Sequence, residues 1–223
     1  MKRLAVILLG TIIGIVFESP IPVQAQTQSL SLEIMGGTGI NFPTPLTIHQ
    51  DGYPDIQSSA NYDTKPFGPY APYYAWRLSL WNGDQAWELE QIHHRLFLTN
   101  PPPEVQYFAI HFGYNYFFFG HAWKKGGLIY HIGIGPIVSN PESSVRNQVK
   151  QEIGTGIFDA GYYLSGIGIQ TTLGKDFYFS KNGFIVAETG LTFGWAWWVP
   201  ISGGYADVPN IALHGHLGVG YDF

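Results

Sequence analysis

Apolar side chains recur at every second position in eight segments of this chain, each of about ten residues or more. Successive side chains of a β-strand point to opposite faces, so period 2 is the period of a strand. The pattern predicts strands at 29–40, 73–81, 85–97, 105–119, 128–138, 162–178, 184–198 and 211–223. The chain is therefore expected to be all-β.

Each predicted strand has one bulky apolar face and one face that is small or polar. In the first strand, Leu30 and Ile34 share a face, while Ser31 and Glu33 lie on the other. In the third, the alternation blurs at residues 91–95, which predicts either a β-bulge or the exit of the strand from the apolar layer. The apolar face of the fourth strand is expected to carry Phe108, Ile110, Phe112, Tyr114, Tyr116 and Phe118.

The connections between the predicted strands alternate between short and long. Asn82-Gly83 predicts a type I′ hairpin, whereas long loops are expected at 41–72, 98–104, 139–161 and 199–210. An even number of antiparallel strands with short turns at one end and long loops at the other is typical of outer-membrane barrels. The pattern predicts an eight-stranded antiparallel up-and-down transmembrane β-barrel whose apolar face contacts lipid.

A soluble β-sandwich is the alternative, since its strands also alternate. Bulky residues on one face opposite glycines, and aromatic residues toward the strand ends, favour the barrel. These aromatic residues are Trp76, Trp87, Trp195, Trp197, Tyr116 and Tyr221.

Composition agrees with a lipid-facing surface. Charged residues make up 12% of the chain, compared with about 25% in a typical soluble domain. The chain has no cysteine, which excludes disulfides and zinc-thiolate sites. Its net charge of −5 disfavours nucleic-acid binding, which needs a basic surface.

The first 25 residues have the pattern of a cleaved signal peptide. Lys2 and Arg3 precede an apolar run at 4–17, and Val23-Gln24-Ala25 ends in a small residue. An uncleaved membrane anchor is the alternative, but this run is shorter than the roughly 20 residues that a spanning helix needs. We expect cleavage before Gln26 and export of residues 26–223.

The segment 211–223 carries a resemblance to a known family. Its apolar residues alternate up to Tyr221-Asp222-Phe223, and residues 26–223 resemble the eight-stranded outer-membrane β-barrel superfamily of Gram-negative-type bacteria. That superfamily includes the OmpA-type transmembrane barrel, OmpW and lipid A deacylase-like barrels. The resemblance implies that Val219, Tyr221 and Phe223 form the signal read by the barrel-assembly machinery. It also implies an outer-membrane location, periplasmic termini, and contact with outer-membrane lipids and lipopolysaccharide.

The inward face of the predicted barrel collects polar side chains. We expect in the lumen Glu33, Arg77, Glu88, Glu90, His111, Asn115, His131, Gln170, Glu188, His214 and His216. Eight strands leave little interior space beyond that of side chains, and buried charges must be paired. The simplest interpretation is a hydrogen-bonded network that largely plugs the lumen.

The charge count of this set adds a second hypothesis. Four carboxylates face one arginine and four histidines, so the protonation of the lumen is expected to change around pH 5 to 7. A pH-dependent conductance or loop state would follow. A metal site from His214 and His216 with His111 or His131 is a weaker hypothesis, because the His-x-His pattern is common on strands without metal. No metal or other cofactor is expected.

These observations predict a structural, ligand-binding or narrow-permeation role, with a small external ligand possible at the loops. The alternative is a lipid-modifying enzyme, a lipid A deacylase or acyltransferase. Related deacylases carry a His-x-Ser pair, in which the histidine activates the serine. This chain has no such pair; His93-His94 and Ser165 are expected only at a similar height. No catalytic residue is assigned.

Overall fold

A computed structural model describes residues 28–67, 72–150, 156–157 and 160–223. The expected signal peptide, residues 1–25, lies outside this range. The strands are β1 (Gln28–Phe42), β2 (Thr44–Gln50), β3 (Ile56–Ala60), β4 (Tyr62–Asp63), β5 (Tyr74–Asn82), β6 (Gln85–Leu98), β7 (Val105–Lys125), β8 (Leu128–Ser139), β9 (Glu142–Val145), β10 (Gln148–Val149), β11 (Tyr163–Tyr178), β12 (Gly183–Ile201) and β13 (Gly204–Asp222). Within the described ranges, no helix has the length and apolar character needed to cross a membrane.

Eight of these strands form a closed antiparallel ring. The order around the ring is β1, β5, β6, β7, β8, β11, β12 and β13, and β13 pairs with β1 to close it. The closing pairs run from Ser31 opposite Asp222 to Phe42 opposite Ile211. Closure gives every ring strand a hydrogen-bonded neighbour on each side along most of its length, so the ring has no edge strand. The predicted eight-stranded antiparallel barrel is confirmed.

Short turns connect the strands at one end of the ring, which we call the short-turn end. Asn82 pairs with Gln85, so the two turn residues between β5 and β6 are Gly83 and Asp84. Gly83 has φ 63° and Asp84 has no positive φ, which is the pattern of a type II′ turn. The prediction of a type I′ turn centred on Asn82-Gly83 is wrong by one residue, because the strand pairing continues through Asn82.

The opposite end, the long-loop end, carries further strands. β2 and β3 form a hairpin that pairs with the upper part of β13, and β4 pairs with β6. β9 and β10 form a hairpin against β7. The sheet therefore continues beyond the ring within the expected loops 41–72 and 139–161.

The prediction of a loop at 199–210 is wrong. β12 continues to Ile201 and β13 begins at Gly204, so Ser202 and Gly203 alone connect them. Pro200 and Pro209 both lie in paired strands. Pairing with β2 and burial of Val199, Ala206 and Val208 stabilise this extended hairpin.

The bulge predicted at 91–95 is confirmed. The register between β6 and β7 shifts between His94 and Leu96, which face Tyr114 and Ile110 respectively. The single residue Arg95 therefore lies opposite three residues of β7. One of these, Gly113, has φ 125°, a conformation that glycine tolerates and other residues rarely adopt.

The faces of β7 are the reverse of the prediction. Phe108, Ile110, Tyr114, Tyr116 and Phe118 are buried inside, whereas Phe117 and Phe119 are 42% and 54% exposed on the outside. Phe112 is only partly buried. The prediction was wrong because both faces of β7 are bulky, and alternation alone does not say which one faces inward.

Glycines on other strands make room for the aromatic residues of β7. A Cβ at Gly168 would lie 2.6 Å from the Tyr116 ring, and one at Gly194 would lie 2.6 Å from the Tyr116 hydroxyl. A Cβ at Gly133 would lie 3.1 Å from Cβ of Phe118. The glycine-rich inner faces of β8, β11 and β12 therefore fit the large side chains of β7.

Beside β1 at the long-loop end, the described residues leave part of the wall of the ring without a paired strand. β5 begins at Tyr74, opposite Gly36, whereas β1 continues to Phe42. The segment 62–64 lies at this edge of β1. The Thr64 hydroxyl donates to the carbonyl of Gly39 at 2.7 Å, and the Asn41 amide donates to the carbonyl of Tyr62 at 3.2 Å.

We predict that Tyr116→Ala lowers the free energy of unfolding by about 3 to 5 kcal/mol, because it leaves a cavity opposite Gly168 and Gly194. Phe117→Ala on the adjacent position is the matched control and should have a much smaller effect, since this ring lies on the outer face. Urea unfolding of the protein in micelles, followed by circular dichroism, measures both. Equal losses would contradict the assignment of Tyr116 to the interior.

Candidate functional site: a buried charge network in the lumen

The Arg77 guanidinium lies at the centre of the lumen and is completely buried. Its Nη1 is 2.8 Å from Glu33 Oε2, and its Nη2 is 3.1 Å from Glu90 Oε1 and 2.9 Å from Glu188 Oε1. Its Nε is 3.9 Å from Glu88 Oε2. The carboxylates come from β1, β6 and β12, so one side chain of β5 connects strands around much of the ring.

The two carboxylates of β6, Glu88 and Glu90, have further partners. Glu88 accepts a hydrogen bond from the Ser79 hydroxyl at 2.8 Å and lies 2.9 Å from Nδ1 of His131. The Gln170 amide donates to Glu90. A buried carboxylate is costly unless paired and hydrogen-bonded, and these contacts come from β5, β8 and β11. The network therefore reaches strands that Arg77 does not contact.

Glu188 begins a chain of hydrogen bonds toward the long-loop end. His216 Nδ1 is 2.7 Å from Glu188 Oε1, and His216 Nε2 is 2.7 Å from the Tyr73 hydroxyl. The same hydroxyl is 2.7 Å from His214 Nδ1, and His214 Nε2 is 2.8 Å from the Thr192 hydroxyl. Five side chains are thus joined in one line.

The acceptor at one end sets the direction of this chain. An ionised Glu188 only accepts, so His216 donates from Nδ1 and accepts from the Tyr73 O–H at Nε2. His214 then donates from Nδ1 to Tyr73 and accepts from Thr192. Every hydroxyl and imidazole nitrogen has a partner while both histidines are neutral. Reversing every hydrogen bond of the chain requires one additional proton at the Glu188–His216 end.

A layer of amides lies above this chain. Asn41 Oδ1 is 2.8 Å from Nε2 of His94 and accepts from the Asn210 amide at 2.9 Å. The Asn41 amide donates to the Thr64 hydroxyl at 3.0 Å. The upper lumen is therefore closed by hydrogen-bonded side chains, one of which belongs to the segment beside β1.

The structure brings together nine of the eleven residues predicted for the lumen: Glu33, Arg77, Glu88, Glu90, His131, Gln170, Glu188, His214 and His216. The other two, His111 and Asn115, lie elsewhere. His111 lies above the ring, where its Nδ1 is 3.5 Å from Glu142 and its ring is near Phe97. The placement of both residues follows from the reversed faces of β7.

Asn115 belongs to a polar group on the outer face of the barrel. Directly paired residues share a face of a sheet, and Asn115 pairs with His93, which pairs with the partly exposed Tyr74. Nδ1 of His93 is 2.8 Å from Asn115 Oδ1, and the Gln91 amide donates to the same oxygen at 3.2 Å. These three side chains form the outer-wall polar group.

Tyr73, His94 and Asn41 are the main lumen residues that the sequence did not indicate. The predicted strand 73–81 begins at Tyr73 and places it on the face of Arg77, but the lumen prediction did not include it. Asn41 was assigned to a loop, and His94 lies next to the bulge, where the phase of β6 is ambiguous.

The geometry does not assemble the serine and histidine considered for a lipid-modifying enzyme. The Ser165 hydroxyl is bonded to the Ser139 hydroxyl and donates to the carbonyl of Tyr163. His93 is bonded to Asn115, and His94 to Asn41. Each of these groups has another partner, so Ser165 has no base in this arrangement.

The two histidines of the His-x-His pattern are joined through Tyr73. Across the described part of the chain, no group of three or more His, Cys, Asp or Glu side chains is arranged to hold a metal ion. The groups that could ligate a metal here are the Tyr73 hydroxyl and the imidazoles of His214 and His216. All three are already engaged in hydrogen bonds.

Solved outer-membrane proteins are similar to this chain at low sequence identity. OprG from Pseudomonas aeruginosa is 10% identical, with 89% of this chain and 97% of that chain covered and a TM-score of 0.49. AlkL, solved in lipid bilayers, is 8% identical, with 92% and 96% covered and a TM-score of 0.41. Ail of Yersinia pestis is 11% identical, with 88% and 97% covered and a TM-score of 0.37. No protein-family model and no curated protein sequence matches.

We predict that Arg77→Met lowers the free energy of unfolding by about 3 to 5 kcal/mol at pH 8, because it leaves buried carboxylates without their cation. Protonation of these carboxylates removes the unpaired charge, so the loss of stability relative to the unchanged protein should become smaller as the pH falls from 8 to 5. Urea unfolding in micelles at both pH values measures this.

Arg146→Met is the matched control, since Arg146 lies at the long-loop end and bonds to Gln50 and the carbonyl of Pro54. Its effect should be small and independent of pH. If Arg77→Met and Arg146→Met have the same effect, Arg77 is not the centre of the network.

Proposed function

We propose that this protein is an integral outer-membrane β-barrel with a plugged lumen, whose role is structural or ligand-binding and not permeation. The observation that carries the proposal is the reversal of the usual distribution of side chains. Charged residues fill the interior, and apolar residues cover the outside of the same ring. Soluble proteins rarely expose apolar patches larger than a few hundred Å².

The outer face supports a membrane location in two respects. Leucine, isoleucine and phenylalanine side chains form an exposed band around the ring, which includes Ile34, Leu89, Phe119, Ile132, Ile134, Ile169, Leu191, Phe193 and Leu217. Exposed tryptophans and tyrosines flank this band: Trp87 and Tyr221 toward the short-turn end, and Trp195 and Trp197 toward the other. Aromatic residues at both interfaces are typical of barrels in lipid. Tyr116, predicted for this girdle, is instead inside.

The interior supports a plugged lumen. Arg77, Glu33, Glu90 and Glu188 meet at hydrogen-bond distances across the ring, and the aromatic residues of β7 fill the space beside them. An open pore would require these contacts to break, which costs several kcal/mol for each buried charge. Narrow permeation is therefore the less favoured role.

Export, periplasmic termini and the assembly signal complete the proposal. In this orientation the short-turn end faces the periplasm, and the hairpins β2–β3 and β9–β10 face outward. Val219, Tyr221 and Phe223 lie exposed along β13, where the assembly machinery would read them. The backbone N–H of Phe223 donates to the carbonyl of Leu30 at 2.8 Å, so this segment also takes part in ring closure.

We predict that the protein, inserted into planar bilayers, gives no unitary conductance steps at pH 7 to 8. Circular dichroism of the same preparation confirms that the inserted protein is folded. Recording down to pH 5 tests the additional hypothesis that protonation of the lumen opens it. Stepwise currents at pH 7 to 8 from folded protein would contradict a plugged lumen.

The competing enzyme hypothesis gives a separate prediction. Ser165 is bonded to Ser139 and to a backbone carbonyl, so we expect lipid A from cells with and without the protein to have the same acyl pattern by mass spectrometry. Loss or gain of an acyl chain only in cells that contain the protein would favour a lipid A deacylase or acyltransferase.

A further inference from the structure

A pocket of about 530 Å³ opens on the outside of the barrel wall and contains the outer-wall polar group. Its lining includes Gln91, His93 and Asn115, together with Trp76, Phe117 and Tyr162. Trp76 pairs with Gln91, and Gln91 pairs with Phe117, so the polar and the apolar lining residues share the outer face. Polar side chains are thus set within a surface that is otherwise apolar.

The height of the pocket places it in the outer-leaflet half of the membrane. His93 lies eight residues along β6 from Gln85, the first residue after the short turn. Strands rise about 3.3 Å per residue and tilt by about 40° in such barrels, which gives roughly 20 Å along the barrel axis. The apolar band of outer-membrane barrels is about 25 Å tall. With the proposed orientation, the pocket therefore lies beside the acyl chains of the outer leaflet, on the headgroup side of the midplane of this band.

The hydrogen bonds around Asn115 determine the protonation of His93. The Asn115 amide donates to the carbonyl of Val138 at 3.2 Å, so its Oδ1 is the acceptor for Gln91 and for Nδ1 of His93. His93 therefore carries its proton on Nδ1 and has a free lone pair on Nε2 when neutral. Among the described residues, Nε2 of His93 is buried and has no hydrogen-bond partner.

An unsatisfied buried acceptor is destabilising unless something donates to it. In the lumen, both imidazole nitrogens of His214 and His216 have partners, whereas Nδ1 of His94 is buried without one. His93 in addition lines the pocket on the outer wall. Gln91 and Asn115 orient its ring but leave Nε2 without a donor, which is the arrangement of a binding site that supplies one acceptor.

We propose that this pocket binds an outer-leaflet lipid whose acyl chain carries a hydroxyl close to its head, with that hydroxyl donating to Nε2 of His93. The proposal rests on the membrane location proposed above. A 3-hydroxyacyl lipid has this chemistry: its hydroxyl lies beside the carbonyl group, and its chain continues along an apolar surface. Phe117 and Trp76 lie toward the membrane interior from His93 and Asn115 and contact that chain.

Ligand entry involves the rim of the pocket. The Tyr74 ring is stacked on His93, with ring centroids 4.9 Å apart, and is 37% exposed. Ile157 is 40% exposed and also lines the pocket. Because Nε2 is covered, a hydroxyl reaches it when these rim side chains move. A chain without the hydroxyl gains nothing from that movement, so the site should select for the hydroxyl.

The test compares two probes that differ only in the hydroxyl: methyl 3-hydroxytetradecanoate and methyl tetradecanoate. Each is titrated into the full-length mature protein in micelles, and the indole N–H resonance of Trp76, assigned with Trp76→Phe, reports occupancy. We expect the hydroxylated probe to reach half-saturation at about 3- to 10-fold lower concentration, the range for one additional hydrogen bond. It should also shift the ¹⁵N resonance of unprotonated Nε2 of His93 upfield.

His93→Asn is the informative variant, because its amide can still donate to Asn115 while the Nε2 acceptor is lost. We expect this variant to bind both probes equally. His121→Asn is the matched control: His121 pairs with Trp87 on the outer face near the short-turn end, and its replacement should preserve the preference.

Equal binding of the two probes by the unchanged protein, or a preference that survives in His93→Asn, would overturn the proposal. Neither result would contradict the proposed barrel with a plugged lumen, which is tested by conductance. Stepwise currents from folded protein would instead contradict the proposed function and leave the lipid preference of the pocket to stand.

Discussion

The contacts of Arg77 with its carboxylates constrain the interior of this barrel more than any other interaction. A guanidinium group without solvent needs acceptors for its N–H groups and a carboxylate to balance its charge, and here the carboxylates come from strands at the beginning, middle and end of the chain. β1, β5, β6 and β12 must therefore be in register before the charges are satisfied. Any arrangement that misplaces one of these strands leaves a buried charge without its partner, so the network favours a single register around the ring.

The remaining interior is organised around this charged centre by shape. Tyr114, Tyr116 and Phe118 project from one strand into space that glycines leave on the opposite wall. Glycine is a poor strand residue on its own, so its frequent presence on inward faces follows from the size of the side chains across the lumen. Charge pairing and aromatic packing together account for why the lumen is filled, and both involve residues far apart in sequence.

The sequence was sufficient for the ring, the strand order and the bulge at Arg95, because alternation and link length are local properties. It was also sufficient for nine lumen residues on strands whose two faces differ clearly, as Leu32 differs from Glu33. It failed on β7, where Tyr116 and Phe117 are equally bulky and their faces depend on the glycines of β11 and β12. It failed again at 199–210, where a loop was expected but pairing with β2 extends the hairpin. The contacts of Tyr73 with His214 and His216 could not be read from the alternation of strand 73–81, since they depend on how the last strand closes the ring.

The position of Tyr73 in the lumen also constrains how the sequence can change during evolution. External connections of barrels usually tolerate insertions and substitutions because nothing inside depends on them. Here the connection before β5 ends in a side chain that two histidines of the last strand hold in the lumen. A change in its length would move Tyr73 away from His214 and His216. Among descendants of this chain, residues 72–73 should vary together with positions 214 and 216, while the tips of the other connections vary independently.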